Sequence, residues 1–317
     1  PTSASKCTYA DDSALVAHSE IELQEMLTSF NAAASSLRLT INVRKTEVML
    51  QRAPNTPVRD PVIQLNNEPL QVAQHFTYLG STVSNDNSLE IEIEKRVCSA
   101  ATAFGKLQSK VWKRPGIRIS TKCKVYRAVV LSCLLYSSET YILYRRHIRR
   151  LQRVQMSHLR QLMSISWRDR VSNVEIRRRA NMPSVESILT KNQLRWTGHV
   201  IRMNERRLPK AVLYGELQRG KRGVGRPKLR FKDCVKRHLN NNMPDWEQQA
   251  KDRPRWKSFV SQTAKAVDDR LEAESAARSQ RRASRVNSTN TPAPNTELQC
   301  RFCGRLCRAR IGLVSHE

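Results

Sequence analysis

Two adjacent aspartates, Asp11 and Asp12, are the first residues of the chain whose type and spacing could do chemistry. They stand in CTYADDSALVA, where the flanking apolar residues favour strands and Asp-Asp-Ser favours a turn. The pattern predicts a β-hairpin with both carboxylates at its tip. Mg²⁺ is typically held by one or two carboxylates together with phosphate oxygens and waters. The pair is therefore either a solvated turn or a platform for metal-assisted phosphoryl transfer.

A second group of candidate ligands lies in CRFCGRLCRARIGLVSHE, at the end of the sequence. The spacing of Cys300, Cys303 and His316 is typical of a Cys-Cys-His-His zinc finger cut off before its second histidine. Cys307 stands where such a finger has a core aromatic residue, and Leu313 fits the core leucine. We predict that Cys300, Cys303 and His316 bind Zn²⁺, with the fourth position open to water, Cys307 or a neighbouring group.

The residues that follow the acidic pair predict a scaffold for it. Residues 20–37 have apolar residues near helical spacing, and residues 38–51 are strand-like and contain Lys45. Residues 62–84 predict two strands around an Asn-Asn turn, followed by an aromatic-glycine corner at 76–80. The predicted order is an acidic hairpin, a helix, a strand with a lysine, and a hairpin that contains Tyr78, Leu79 and Gly80.

These motifs together resemble the reverse transcriptases of non-long-terminal-repeat retrotransposons. Tyr-Ala-Asp-Asp at 9–12 is similar to the catalytic hairpin of that family's palm, and Leu-x-Ile-Asn-x-x-Lys-Thr at 39–46 to the next palm motif. Phe-x-Tyr-Leu-Gly at 76–80 is similar to the primer-grip hairpin, and LLYSSETY, QLRWTGHVIRM and RFKDCVKRHL to the thumb and downstream regions. Arg38 stands where the family usually has glycine, which predicts a strained turn after the first helix.

The resemblance implies roles for the matched residues. Asp11 would be a ligand of Mg²⁺ and Asp12 its less direct partner. Lys45 would lie near the phosphates of the incoming nucleotide, and the Tyr78–Leu79–Gly80 corner would hold the primer end. On composition alone, Lys45 is equally well an exposed strand-end lysine, and Tyr78 and Leu79 are ordinary core residues. In the family another metal-binding aspartate and the fingers region precede the hairpin. We therefore expect a fragment of an RNA-directed DNA polymerase that is inactive by itself.

The charge of the chain is divided unevenly along its length. The 317 residues have a net charge of +28, and 39% of them are hydrophobic. Residues 1–94 nevertheless hold six Lys and Arg against twelve Asp and Glu, which leaves fifty against sixteen for the remainder. Such asymmetry favours a polyanionic partner, RNA or DNA, for the part of the chain beyond residue 94.

Arginines at one-turn spacing are the strongest candidates for phosphate contact. They lie in YRRHIRRLQRVQ, on a predicted helix, and are Arg145, Arg146, Arg149, Arg150 and Arg153. Such contacts position a nucleic acid without reading its sequence. A basic glycine-rich loop adds Arg226 and Lys228. Its Gly-Arg-Pro core partly matches an AT-hook, but general phosphate binding is the better interpretation.

The predicted fold class is α+β. Residues 1–94 form part of a reverse-transcriptase palm, with antiparallel strands and a helix. Residues 95–190 form a helical thumb-like region and 191–272 a basic helical region that binds nucleic acid. Residues 273–298, rich in Ser, Asn, Thr and Pro, are a predicted disordered linker, and 299–317 a truncated zinc finger.

Apolar runs and cysteines in the sequence bear on where the protein is located. The sequence has no apolar run long enough to span a membrane and no signal peptide, and most of its eight cysteines are scattered. These features predict a nuclear or cytoplasmic protein that is not secreted. The alternative to a polymerase fragment is a non-catalytic nucleic-acid-binding zinc-finger protein derived from a retroelement. That alternative depends on the basic region and the finger rather than on Asp11.

Overall fold

A computed structural model describes residues 5–51, 59–215, 228–239, 245–290, 298–299, 303 and 306–307. The chain divides into two compact units, Pro1–Asp268 and Asp269–Glu317. No helix in the described ranges is both long enough and apolar enough to span a membrane.

The strands of the first unit are short and pair two by two. Their bounds are β1 (Ser5–Tyr9), β2 (Asp12–Val16), β3 (Glu47–Val48), β4 (Gln64–Leu65), β5 (Glu68–Pro69), β6 (Gln71–Val72), β7 (His75–Tyr78) and β8 (Ser81–Ser84). β1–β2, β4–β5 and β7–β8 are antiparallel hairpins, whereas β3 pairs with β6 in parallel. In the second unit, β9 (Leu298–Gln299) pairs antiparallel with β10 (Leu306–Cys307).

Residues with positive φ form the hairpin turns. Asn66 and Asn67 have φ of 53° and 66°, and Leu79 and Gly80 have φ of 47° and 78°. Two consecutive residues with positive φ are typical of the tight turn that suits the twist of a two-residue hairpin. The predicted turn at Asn66-Asn67 and the predicted corner at Leu79-Gly80 are therefore present.

Helices make up most of the rest of the described chain. They are α1 (Glu20–Ser36), α2 (Glu90–Lys106), α3 (Ile119–Val125), α4 (Ser132–Leu134), α5 (Arg145–Leu162), α6 (Asn173–Ala180), α7 (Val185–Ile201), α8 (Leu208–Tyr214), α9 (Phe231–His238), α10 (Trp246–Lys251) and α11 (Arg253–Asn290). Wider π-helical turns follow α2 at Gln108–Trp112 and α3 at Tyr126–Leu131. Serines start several of these helices, since the hydroxyls of Ser19, Ser172 and Ser184 accept hydrogen bonds from first-turn amides.

Hydrophobic side chains of the first unit form successive clusters along the chain. A small cluster joins α1 to the strands through Leu27, Val48, Ile63, Leu65 and Leu70. The largest spans α2 to α7, where Tyr126, Leu151, Leu159 and Ile176 are almost fully buried. A third packs α7 against α9, α10 and α11 through Leu194, Val235, Trp246 and Trp256.

The strand predicted over residues 38–51 is largely wrong. A 3₁₀ turn occupies Val43–Lys45, and only Glu47–Val48 is a strand. The side chain of Asn42 accepts a hydrogen bond from the Lys45 amide at 3.3 Å, and the Thr46 hydroxyl donates to the Asn42 carbonyl at 2.9 Å. These local bonds give the backbone an alternative to a sheet ladder.

The predicted disordered linker also differs from the structure over its first part, because α11 continues to Asn290. Residues 273–290 contain four Ala and four Arg, residue types that favour a helix. Glu274 lies one turn from both Arg270 and Arg278, with charged atoms 3.8 and 3.5 Å apart. The helical propensity of the segment outweighs its lack of large apolar residues. Residues 291–297 lie outside the described residues.

Candidate active-site and nucleic-acid surface

The acidic hairpin forms where the sequence predicts it. β1 and β2 pair with Tyr9 opposite Asp12, so Ala10 and Asp11 form a two-residue turn. Ala10 takes a φ of 52°, an unfavourable conformation for a residue with a Cβ atom. Asp11 and Asp12 are both exposed to solvent. The hairpin therefore presents two carboxylates at its tip in a position open to a cation.

Lys45 is supported by the same small core as the acidic hairpin. Leu15 on β2 and Val43 in the 3₁₀ turn both pack against the cluster around Leu27 and Val48. Lys45 ends that turn, and its side chain is exposed. The structure thus places the base of the acidic hairpin and the turn that carries Lys45 on one core.

A long-range hydrogen bond joins the acidic hairpin to the β7–β8 hairpin. The hydroxyl of Tyr78, which is half-buried, donates to the carbonyl of Cys7 at 3.3 Å, across 71 residues of sequence. Cys7 lies on β1, two residues before Tyr9. The Asp-Asp tip and the Tyr78–Leu79–Gly80 corner are therefore on neighbouring elements.

The Leu79–Gly80 turn is held by side chains from the helical region. The hydroxyl of Tyr136 donates to the Leu79 carbonyl at 2.9 Å, and the guanidinium of Arg96 donates to the Gly80 carbonyl. Arg96 also lies over the ring of Tyr136, 4.7 Å from its centroid. Because both turn carbonyls have such partners, the corner is fixed against α2 and the segment after α4.

A buried carboxylate lies behind this turn. Glu92 is 1% exposed and accepts hydrogen bonds from the Arg96 guanidinium at 2.6 Å, the Thr82 amide at 2.8 Å and the Tyr141 hydroxyl. The hydroxyl of Ser81 lies 3.2 Å from the same carboxylate. A buried charge persists only when it is paired and hydrogen-bonded, and Glu92 meets both conditions.

The titration of this cluster follows from its contacts. Burial raises the pKa of Glu92, but the hydrogen bonds from Tyr141, Arg96 and Thr82 outweigh burial, so its net pKa lies below the ordinary value. Burial and the bond to Glu92 raise the pKa of Tyr141 to about 12. The cluster is therefore an ionised carboxylate with a neutral phenol, which suits support of the turn rather than proton transfer.

The donor set at the acidic tip fits a partial coordination sphere for Mg²⁺. Asp11 and Asp12 supply carboxylate oxygens with open access, and Mg²⁺ commonly binds one or two carboxylates plus phosphate oxygens and waters. Within the described ranges, no group of three or more His, Cys, Asp or Glu side chains lies close enough together to hold a metal ion. Any ion at this tip would take its remaining ligands from water, a nucleotide or other residues.

Several predicted phosphate-binding arginines form ion pairs with carboxylates in the structure. Arg145 lies 2.5 Å from Glu186, Arg146 lies 2.7 Å from Glu90, and Arg150 lies 3.3 Å from Glu94. Glu90 and Glu94 are on α2, and Glu186 is on α7. These three arginines therefore join α5 to its neighbours.

Arg149 and Arg153 form the exposed ridge of the same helix. Both side chains are exposed, and they lie one turn apart. Among the described residues, neither has an ion pair or side-chain hydrogen bond within the chain. These two residues are the cations of α5 most open to an external phosphate.

The remaining predicted sites are only partly described. Lys228 is exposed and donates to the Asp86 carbonyl at 2.8 Å, while Arg226 lies outside the described residues. Cys300 and His316 also lie outside them, so the predicted Zn²⁺ site stays a prediction. Cys303 is an exposed turn residue on the connection between β9 and β10.

Sequence reasoning missed the residues that support the Leu79–Gly80 turn. Glu92 and Arg96 are spaced i,i+4 on α2, a pattern that surface ion pairs share. The available signal was a glutamate on the apolar side of that helix, beside Ile93. Tyr136 and Tyr141 lie in LLYSSETY, which was assigned to the thumb without individual roles.

Comparison with known proteins adds one relationship. No family model matches the chain, and no solved structure matches it. An uncharacterized transposon-derived protein of Caenorhabditis elegans is 26% identical over 267 residues, which cover 80% of this chain and 93% of that protein. The similarity indicates a transposon origin for the chain.

Proposed function

We propose that the chain is part of the RNA-directed DNA polymerase of a non-long-terminal-repeat retrotransposon, and that it binds RNA and DNA. The acidic hairpin with Asp11 and Asp12 contributes to a Mg²⁺ site, and the Tyr78–Leu79–Gly80 corner contacts the primer end. Mg²⁺, when bound, would neutralise charge on the reacting phosphates. We expect the chain by itself to bind substrates without extending a primer.

The observation that carries the proposal is the hydrogen bond from Tyr78 to Cys7, 3.3 Å long. It joins the two hairpins whose motifs, by their resemblance to a polymerase palm, would hold the metal and the primer end. A solvated Asp-Asp turn would need no such neighbour. The turn at Leu79–Gly80 is in addition fixed by Tyr136 and Arg96, as a surface that positions a nucleic-acid end requires.

Charge supports the nucleic-acid part of the proposal. Beyond residue 94 the chain has fifty Lys and Arg against sixteen Asp and Glu. Phosphate contacts from such a surface release counterions and give affinity that falls steeply with salt. The transposon origin indicated by the C. elegans relative agrees with a nucleic-acid substrate.

Localised backbone cleavage tests the metal site without relying on catalysis. Fe²⁺ replaces Mg²⁺, and with ascorbate and peroxide it cuts polypeptide near its binding site. With a primer–template hybrid and a deoxynucleoside triphosphate present, we expect cleavage around residues 9–13. Asp11→Asn with Asp12→Asn should abolish it, because the amides cannot replace carboxylate charge.

The matched control removes two exposed carboxylates elsewhere in the same unit, Glu25→Gln with Glu68→Gln. This control should cut like the wild-type chain. Cleavage that is equal in all three proteins, or absent from the hairpin in the wild type, would show that the acidic tip holds no ion in this chain and would remove the role proposed for Asp11 and Asp12.

The second candidate function is a nucleic-acid-binding zinc-finger module without catalysis. The antiparallel pair of β9 and β10, with Cys303 on the turn between them, favours it, since a finger of this class begins with a β-hairpin that carries its cysteines. Cobalt absorption tests it, because thiolate ligands give characteristic bands. Cys303→Ser should remove the bands and Cys307→Phe should keep them.

A further inference from the structure

Trp167 is the most exposed large hydrophobic residue of the described chain, with 82% of its surface open to solvent. Tryptophan is highly buried on average, so a nearly free indole is an unusual feature. It opens the 3₁₀ turn Trp167–Asp169, between α5 and α6.

The turn that carries Trp167 is tightly held although its side chain is free. The Ser166 amide donates to the Asp169 carboxylate at 2.6 Å, and the Arg168 amide donates to the Ser166 hydroxyl at 3.2 Å. The loop is also tied to α5, because Arg160 donates to the Val171 carbonyl at 3.0 Å. Because the backbone of this turn is already fixed, less conformational entropy is lost when a ligand binds to the exposed ring.

Two arginines lie in or next to the turn that carries the indole. The Arg168 guanidinium lies 5.6 Å from the centroid of the Trp167 ring, within cation–π range. Arg170 is exposed one residue beyond the turn, where it takes a φ of 51°. The carboxylate of Asp169 accepts a hydrogen bond from the Ser166 amide, and the two arginines leave the turn with a net positive charge.

We propose that Trp167 is a base-stacking site for single-stranded nucleic acid, with Arg168 and Arg170 contacting the adjoining phosphates. An unpaired base offers a flat π-face to the indole, and the guanidinium groups match the backbone charge. The proposal rests on the proposed function in so far as that function includes nucleic-acid binding. It assigns a contact that is separate from the acidic hairpin and from the α5 arginines.

The charge of the surroundings favours nucleic acid over a protein partner. A protein-docking patch would extend the apolar surface beyond one ring, whereas the neighbours of Trp167 in the turn are Ser166, Arg168, Asp169 and Arg170. Proteins that hold single strands without sequence preference combine aromatic rings for stacking with cations for the backbone, and Trp167 with Arg168 and Arg170 offers one such ring beside two cations.

Fluorescence anisotropy with the full chain and a labelled oligo-dT tests the site. Trp167→Ala should weaken binding by about tenfold, the effect of losing one stacked base. Trp167→Phe should retain most of the affinity, because a benzene ring still stacks. Trp167→Leu keeps apolar volume without a π-face and should behave like Trp167→Ala. The control Ile21→Ala removes another exposed apolar side chain, 73% exposed, and should have no effect.

An oligonucleotide with the same backbone but no bases separates stacking from phosphate contact. The wild-type chain should bind it less tightly than oligo-dT, and Trp167→Ala should bind both about equally weakly. If Trp167→Leu binds oligo-dT as well as Trp167→Phe does, the contact is not stacking and the inference is wrong. It also fails if the wild-type chain binds oligo-dT tightly and Trp167→Ala is unchanged, although the proposed function then stands. If the wild-type chain binds no nucleic acid, the proposed function fails as well.

Discussion

The acidic hairpin and helix α5 differ in whether their charged side chains are paired with opposite charges. At the hairpin, Asp11 and Asp12 stand exposed at a turn. On α5, three of the arginines that the sequence marks as phosphate contacts instead bind Glu90, Glu94 and Glu186. A local motif identified the hairpin carboxylates, whereas a count of cations does not show that three of the five arginines are paired with carboxylates.

The difference shows that the number of charged residues does not determine how many of them are exposed and unpaired. Glu92 and Glu94 are two residues apart on α2, yet the Glu92 side chain is 1% exposed and the Glu94 side chain 64% exposed. The first is part of a hydrogen-bonded network that fixes the Leu79–Gly80 turn, and the second makes a surface ion pair. Substitutions at these two positions measure the contrast directly.

Glu92→Ala should have the largest effect on stability. It removes the partner of Arg96, whose side chain is only 11% exposed, and breaking a buried ion pair costs about 3 kcal/mol or more. Glu94→Ala is the matched control, because its pair with Arg150 is exposed and should contribute less than about 0.5 kcal/mol. Urea denaturation followed by circular dichroism gives both values. Equal losses in the two variants would mean that the buried network has no special importance.

His158 should make stability depend on pH. Burial lowers its pKa from an ordinary value of 6.5 to about 4, in a site where its ring stacks on Phe104 at 4.2 Å. The folded state therefore favours the neutral ring. The free energy of unfolding is therefore unaffected by this histidine's titration above pH 6.5. As the pH falls from 6.5 toward 4, the free energy of unfolding should decrease by about 3 kcal/mol.

The measurement is the free energy of unfolding between pH 7 and pH 4 for the wild type and for His158→Gln. The variant is less stable at pH 7, but it lacks a titrating ring. The gap between the two proteins should therefore shrink as the pH falls. A gap that is constant across this range would show that His158 is not held neutral.

The exposed ridge of α5 should account for more of the affinity for nucleic acid than the paired arginines. Arg149→Gln with Arg153→Gln should lower affinity for an RNA–DNA hybrid and reduce the slope of log affinity against log salt by about two. Arg146→Gln with Arg150→Gln removes the same net charge, but these cations already have Glu90 and Glu94 as partners. That pair should change the slope by less. Equal changes would mean that the ion pairs open when nucleic acid binds.

Local sequence signals were enough to predict several elements. The acidic hairpin, α1 and the turns at Asn66-Asn67 and Leu79-Gly80 follow from residue preference and periodicity within a few positions. The 3₁₀ turn at Val43–Lys45 was missed because its cause is one side chain, that of Asn42, which competes with the sheet. The alternation of apolar residues that predicts a strand gives no information about such a side-chain hydrogen bond.

The parts of the site that sequence could not predict all depend on residues far apart in the chain. Tyr78 and Cys7 are separated by 71 residues, and Tyr141 and Glu92 by 49. The arginines of α5 face carboxylates on helices that are distant in sequence, so their pairing is decided by packing. Trp167 was missed for a different reason, because only the folded chain shows that its ring is exposed.

Substitution of Arg38 should have the smallest effect on stability, and it tests whether the backbone after α1 is strained. It follows α1 with a φ of 58°, where its amide donates to the Ser35 carbonyl and the Leu39 amide to the Ala34 carbonyl, both at 2.9 Å. These two bonds form a Schellman motif, in which glycine is the favoured residue. Arg38→Gly should therefore stabilise the fold by up to about 1 kcal/mol, since glycine takes positive φ without steric cost.

Asn181 is the matched control, because it ends α6 with a φ of 46° and the same bonding pattern. Its amide donates to the Arg178 carbonyl, and the next amide donates to the Arg177 carbonyl. Because asparagine already tolerates this conformation, Asn181→Gly should gain less than Arg38→Gly. Thermal denaturation of the two variants decides the matter: an equal or larger gain at Asn181 would show that Arg38 is not strained.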